Sequence, residues 1–177
     1  IGETFSRFRR VVRYVSAELG KSINLIIKGA DTELDKSVVE KIGDPLMHLV
    51  RNAIDHGIET AEQRQQRGKP VEGTLILNAY HDSGSIVIEV QDDGGGLNAE
   101  KILSKAMERG LVSDDAQLGR QEIFNLIMEP GFSTAETVSN LSGRGVGMDV
   151  VRRNIEALRG TLELDSELGV GTKMRIR

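Results

Sequence analysis

Apolar residues recur at helical spacing over residues 3–19, where Phe5, Phe8, Val11, Val12, Val15 and Leu19 form one stripe and Gly20 ends the run. Ile23, Leu25, Ile26 and Ile27 follow as a short apolar stretch closed by Gly29, which predicts a strand. Thr32 to Asp35 has the form of a capping box with a shortened acid, and opens a second helix. Leu49, Val50, Ala53 and Ile54 give that helix its apolar side, and Gly57 offers its stop. Pro45 lies inside it. A proline there costs about 3 kcal/mol, so the sequence predicts a kink, or a restart with Asp44 as N-cap and Pro45 at the first helical position.

Residues 59–72 are polar and read as a surface excursion. Alternation then returns over residues 74–81 and 85–91, joined by Asp82-Ser83-Gly84, which predicts a hairpin. Residues 92–97 form a glycine loop that leads into a helix over 99–109. The stretch 110–142 is polar except for a short apolar helix carrying Ile123, Phe124, Leu126, Ile127 and Met128, and such a segment in a compact domain reads as a lid or binding loop. A second glycine loop, 143–147, opens a helix to about residue 158, and alternation over 162–166 and 172–176 closes the chain with another hairpin. There is no internal repeat and no low-complexity tract. Helices grouped apart from antiparallel hairpins predict an α/β (α+β) two-layer sandwich: one mixed, mostly antiparallel sheet with helices packed on one face and a lid.

Composition narrows the function classes. At 177 residues, the whole of 1–177 suits a single domain with a substantial core. A net charge of −4 gives no basic field for a nucleic-acid backbone, so DNA and RNA are not expected partners. With no cysteine there is no disulfide framework and no thiolate metal site, which fits a cytoplasmic location. No apolar run approaches the roughly 20 residues of a membrane span, and no signal peptide is visible, so any membrane association comes through partners. Ile1 is not a natural start and the final alternating pattern stops at Arg177; the sequence is expected to be a domain excised from a longer, multidomain chain.

Three stretches carry candidate chemistry. On a helix, His48, Asn52 and His56 stand four residues apart with Asp55 three beyond Asn52, so an amide, two imidazoles and a carboxylate share one face. Asp92-Asp93-Gly94-Gly95-Gly96 follows a strand: the glycines let backbone approach a flat ligand, and a buried carboxylate accepts from an exocyclic amine such as N6 of adenine. Gly143-Arg144-Gly145-Val146-Gly147-Met148 stands at a helix start, where unpaired N–H groups suit phosphates. The P-loop and the Rossmann fingerprint are excluded, the first for want of Gly-Lys-Ser/Thr and the second for want of a preceding parallel strand–turn–helix unit.

Taken in order, His-x-x-x-Asn, Asp-x-Gly-x-Gly, Pro130-Gly131-Phe132-Ser133-Thr134 and Gly-x-Gly-x-Gly resemble the N, G1, F and G2 boxes of histidine kinases, within the GHKL ATPase/kinase superfamily. The wording of 48–57 and 142–151 is similar to the catalytic domain of bacterial chemotaxis histidine kinases, and the likeness covers nearly the whole chain. It implies ATP and Mg²⁺ as ligands. Asn52 would hold the metal through its side-chain oxygen, chemically sound for an ion that prefers oxygen ligands and substrate phosphates. His48, Asp55 and His56 would sit near the metal–phosphate end, Asp92 would bind the adenine amine with Gly94 and Gly96 beside the base, and Thr172 would share a water with Asp92. Phe132 and Ser133 would belong to the lid over 129–142. Gly143, Arg144, Gly145, Val146 and Gly147 would wrap the phosphates, and Lys105 is a further candidate phosphate contact.

His48 occupies the place where related hydrolases carry a water-activating glutamate, which favours phosphoryl transfer over hydrolysis. The resemblance therefore implies transfer of the γ-phosphoryl of Mg·ATP to a histidine on a separate phosphotransfer domain, in chemotaxis signalling. It also implies dimerisation and receptor-coupling regulatory domains in the same protein and, indirectly, chemoreceptors, a coupling protein and response regulators. The rivals are an ATPase that uses nucleotide binding as a conformational clamp, a nucleotide-binding adaptor without catalysis, and a helix-rich scaffold whose loops are unused.

Overall fold

A computed structural model describes residues 2–113, 117–130, 132 and 148–177. Strands β1 (Ile23–Lys28), β2 (Gly73–Asp82), β3 (Ser85–Asp92), β4 (Leu162–Glu167) and β5 (Gly171–Ile176) make one sheet in the order β1-β2-β3-β5-β4. β1 and β2 run parallel, with Ile23 opposite Gly73, and the other three pairings are antiparallel. A parallel pair needs a long crossover, here supplied by α2 (Lys36–Asn52) and α3 (Ala61–Gln66). β2 and β3 are joined by Ser83 and Gly84, both with positive φ (52° and 81°), the turn geometry that matches the twist of a hairpin.

The sheet has one apolar face. Leu75, Leu77 and Ala79 alternate inward along β2 and meet Ile88 and Val90 of β3, Leu164 of β4 and Ile176 of β5, all buried. Against them pack α1 (Gly2–Leu19) through Phe5, Phe8, Val12 and Val15, and α2 through Ile42, Leu46, Leu49 and Val50. α4 (Ala99–Glu108), α5 (Arg120–Asn125) and α6 (Met148–Ala157) add Ile102, Phe124, Val151 and Ile155 to the same core. The opposite face is polar: Glu89 accepts from Asn78 Nδ2 (3.3 Å) and from Arg175 Nε (2.9 Å) across three neighbouring strands. The two-layer, mixed-sheet expectation is met.

Three local expectations change. The cap of α2 is Asp35 itself, whose carboxylate accepts from Ser37 N–H at 3.2 Å, while the Thr32 hydroxyl donates to Ala79 O at 3.1 Å. Thr32 is spent on the edge of β2 and is not free to cap. Of the two outcomes expected at Pro45, the restart does not occur: α2 runs through it, with the ring buried and one helical hydrogen bond given up. The polar stretch 59–72 is not merely a solvated excursion, because it contains α3 and the fully buried Arg64.

Leu46 is 0% exposed at the centre of α2. Leu46→Ala is expected to cost about 2–5 kcal/mol, read as a fall in the urea midpoint with an unchanged slope.

Candidate functional site

α2 ends at Asn52 and the chain continues as one π-helical turn, Ala53–Gly57, closed by Ile58 N–H donating to Ala53 O at 2.8 Å. A π turn carries more residues than an α turn, so Asp55 and His56 swing off the strict three- and four-residue stack that the sequence suggests. Ala53 and Ile54 stay buried, whereas the His56 side chain is 64% exposed, with Nε2 3.6 Å from Asp55 Oδ2. The last carbonyls of a helix lack partners of their own. Lys21, from the turn after α1, supplies them: its Nζ donates to Ile54 O (2.7 Å) and Asp55 O (3.0 Å). Burial pushes the Lys21 pKa down, against the opposing pull of Asp55 and Glu59.

His48 is half-buried on the same helix. Burial lowers its pKa, and the charges of Arg51 and His56 lower it further, so the neutral imidazole is favoured at pH 7. Asn52 donates from Nδ2 to Met148 Sδ at 3.2 Å, which ties the end of α2 to the start of α6 and does not use the amide oxygen.

Asp92 closes β3 with only 7% of its surface exposed. Burial raises its pKa from 3.8 to about 6, although the N–H groups of Gly94 and Thr172 favour the anion; nearby Asp93 and Glu59 push in the same direction as burial. Oδ1 accepts from Gly94 N–H at 2.8 Å. The chain crowds this carboxylate: a Cβ on Gly57 would lie 2.8 Å from Oδ2, and one on Gly94 would lie 1.9 Å from Gly57 O. Only glycine at 94 lets the loop and the end of the π turn touch. Gly96, at φ +73°, lies against the β4–β5 hairpin, where a Cβ would come within 2.2 Å of Glu167 O. Thr172 stands opposite Asp92 in the β3–β5 register, with its hydroxyl 3.0 Å from Ser166 Oγ.

The loop is held from outside by residues that the sequence reading missed. Arg64, 1% exposed, places Nη1 3.0 Å from Glu59 Oε1 and 3.2 Å from Asp93 O, and Nη2 3.1 Å from Asp93 Oδ2. Lys69 Nζ donates to Glu59 Oε2 (2.8 Å), Asp93 O (3.0 Å) and Gly94 O (2.8 Å), and Arg67 adds a bond to Glu59 Oε2 at 3.1 Å. Burial raises the Glu59 pKa, but hydrogen bonds from Lys69 and Arg67 outweigh it and hold the carboxyl below its usual range. A readable signal existed for the helix, since Thr60 and Gln63 form a reciprocal capping box. None existed for the burial of Arg64.

The remaining candidates separate. Lys105 projects its ammonium over the Phe132 ring, 4.7 Å from the centroid, and Phe132 is buried in the core. Its neighbour one turn earlier, Lys101, instead lines a cleft of about 780 Å³ with Asp55, His56, Gly96, Leu97 and Leu168. Lys101 was not anticipated. Ser133, Gly143, Arg144, Gly145, Val146, Gly147 and most of the expected lid lie outside the described residues. No group of three or more His, Cys, Asp or Glu gathers into a metal cage among the described residues. One amide oxygen at Asn52 nevertheless fits Mg²⁺, which keeps waters and substrate phosphates around one or two protein ligands.

Residues 41–177 match the family model described as histidine kinase-, DNA gyrase B- and HSP90-like ATPase. The chain is 55% identical over 179 residues to the sensor histidine kinase CheAY of Helicobacter pylori, covering 100% of this chain and 22% of that protein. It is 55% identical over 172 residues to the chemotaxis protein CheA of Salmonella typhimurium (97% and 26%) and 51% identical over 175 residues to that of Bacillus subtilis (98% and 26%). It thus spans about a quarter of the length of these relatives. The fold is similar to that of a histidine kinase domain from Erythrobacter litoralis, with a TM-score of 0.53 at 16% identity, over 98% of this chain and 63% of the other.

The titration of Asp92 gives a test of its burial. Because its folded pKa is raised, the folded state holds the proton more tightly; the associated stability is complete below pH 3.8 and is lost as pH rises through about 6. Asp92→Asn removes this loss. Relative to wild type, the variant is expected to gain up to about 3 kcal/mol of unfolding free energy between pH 4 and pH 8. Urea denaturation of both proteins at the two pH values checks it, and a constant difference would contradict it.

Proposed function

Since this chain belongs to the histidine kinase-, DNA gyrase B- and HSP90-like ATPase family, we propose that it binds Mg·ATP and passes the γ-phosphoryl group to a histidine on a separate phosphotransfer domain, as the catalytic domain of a cytoplasmic chemotaxis kinase. The observation that carries the nucleotide half is Asp92: an ionised carboxylate held in a pocket that disfavours its charge gains most from a ligand that brings a hydrogen-bond donor, as the adenine amine does. The identity of 51–55% to relatives named as chemotaxis and sensor kinases supports the transfer half. No described helix is long and apolar enough to cross a membrane.

In this reading the domain divides between base and phosphates. Asp92 selects adenine, Gly94 and Gly96 let the backbone approach the base, and Thr172 supports Asp92 across the β3–β5 pair. Asn52 contributes the metal ligand, and bound Mg²⁺ would neutralise charge on the phosphates. His48, Asp55 and His56 serve the phosphate end, and the Gly143–Gly147 motif, outside the described residues, is assigned to the phosphates on its sequence. Catalysis then rests on positioning, since phosphoryl transfer asks little covalent work of the protein. Dimerisation and regulatory domains of the same protein, and through them chemoreceptors, a coupling protein and response regulators, complete the proposed system.

The test is to mix the protein with labelled ATP, Mg²⁺ and a histidine-bearing phosphotransfer domain and to measure acid-labile phosphate. Asn52→Asp is expected to lower transfer more than it lowers nucleotide affinity, because the metal site changes while the adenine end does not; unchanged transfer at limiting Mg²⁺ removes Asn52 from the metal. His48→Glu recreates the hydrolase arrangement one turn before Asn52. It is expected to keep nucleotide binding, lose most transfer and gain some ATP hydrolysis, realising a small part of the roughly 10²–10⁴-fold that a well-placed general base supplies. Normal transfer by this variant would make His48 structural.

A further inference from the structure

Between the π turn and β2, the chain spends two cations on one short loop. Arg64 and Lys69 both donate to Asp93 O, at 3.2 and 3.0 Å, and Lys69 also donates to Gly94 O at 2.8 Å. These carbonyls belong to the peptide units whose N–H groups are those of Gly94 and Gly95. In a trans peptide the C=O and N–H point in opposite directions. A cation that fixes Asp93 O on one side therefore aims Gly94 N–H the other way, where Asp92 Oδ1 accepts it at 2.8 Å. Fixing Gly94 O likewise aims Gly95 N–H at Gly57 O, 3.0 Å away on the π turn.

We propose that Arg64 and Lys69, oriented by Glu59, are positioning residues for the base pocket: by holding the outer carbonyls of the 93–95 loop they set the peptide orientation that places the Asp92 carboxylate. The proposal rests on the reading of Asp92 as the adenine residue. Glu59 is the hub, since its buried carboxylate takes Arg64 on one oxygen and Lys69 and Arg67 on the other. Asp93 anchors the loop independently of its carbonyl: Oδ2 meets Arg64 and Oδ1 accepts from Thr74 N–H at 2.8 Å. The clamp is needed because the loop cannot hold itself. With glycine at 94, 95 and 96, rotation of these peptides costs little sterically, and the N–H that stabilises ionised Asp92 would leave with the peptide. Arg67 bonds Glu59 and lies beside Gly95, but it donates to no carbonyl of the loop, which separates the effect of a nearby charge from that of peptide orientation.

Lys69→Met, Lys69→Arg, Glu59→Gln and Arg67→Met are compared with wild type for affinity to a non-hydrolysable Mg·ATP analogue, for discrimination between ATP and GTP, and for the pH at which analogue binding falls by half. The groups that face Asp92 are the N–H groups of Gly94 and Thr172 and the carboxylates of Asp93 and Glu59, so loss of the Gly94 N–H moves that pH upward. Lys69→Met is expected to weaken analogue binding about tenfold, the worth of one charge-assisted hydrogen bond, to reduce discrimination against GTP, and to raise the pH midpoint. Lys69→Arg restores part of each, Glu59→Gln weakens binding in the same direction, and Arg67→Met stays within about twofold of wild type. Circular dichroism confirms folding, and Glu59→Gln, with all three cations retained, carries the test if Lys69→Met does not fold. The proposal is overturned if the folded variants keep wild-type affinity, discrimination and midpoint, or if Arg67→Met behaves as Lys69→Met does. Failure of wild type itself to bind the analogue would instead overturn the nucleotide reading.

Discussion

A carboxylate buried beside two other carboxylates is the constraint on which the site depends. Asp92 is disfavoured as an anion by its burial and by Asp93 and Glu59, and it is stabilised by main-chain N–H groups. Backbone donors are useful only where the backbone is fixed, and a loop with three consecutive glycines does not fix itself. The surrounding structure therefore holds it on several sides. β3 and β5 fix Asp92 and Thr172 in register, the π turn presses Gly57 against the carboxylate, and Arg64 and Lys69 take the outer carbonyls. Gly95 O accepts from Gly169 N–H at 2.7 Å, so the β4–β5 hairpin closes the remaining side.

The π turn at the end of α2 joins the two ends of the proposed nucleotide site. Its wider coil carries Gly57 to the Asp92 carboxylate and turns His56 out toward the cleft shared with Lys101. Such a turn surrenders regular hydrogen bonding, and Lys21 compensates by capping the Ile54 and Asp55 carbonyls. At the other side of the same helix, Asn52 is tethered to Met148, the first residue of α6 and the first described residue after the second glycine loop. Asn52, proposed as the metal ligand, Asp92, proposed as the base carboxylate, and the start of α6 are thus linked through the end of α2 and its π turn.

Arg64 illustrates a buried ion network with a role beyond stability. Replacing such a network by apolar side chains is often neutral for folding, and under the proposal above what distinguishes this one is what it orients. Its donors go to the main chain of a loop, where an apolar residue of equal volume could fill the space but could not set the direction of a peptide.

The sequence by itself determined the periodic elements and the order of the chemistry. The stripe of Phe5, Phe8, Val12 and Val15, the alternation of Leu75, Leu77 and Ala79 and the hairpin at Ser83-Gly84 each follow from local period and turn chemistry, and all appear where expected. His48, Asn52, Asp92 and Gly94 stand out in the sequence as candidates because short motifs must keep their spacing to do their chemistry. Tertiary structure alone decided the rest. Thr32 left the cap of α2 for Ala79 O, Lys105 turned to the Phe132 ring and Lys101 to the cleft, and the end of α2 opened into a π turn. Glu59, Arg64 and Lys69 look like any solvated charge run, since sequence periodicity reports which face is apolar but not which charges a fold encloses. A charge is buried when partners from distant segments meet it, and the partners of Arg64 come from Glu59, Pro70 and Asp93, brought together by the crossover between β1 and β2 and by the end of β3.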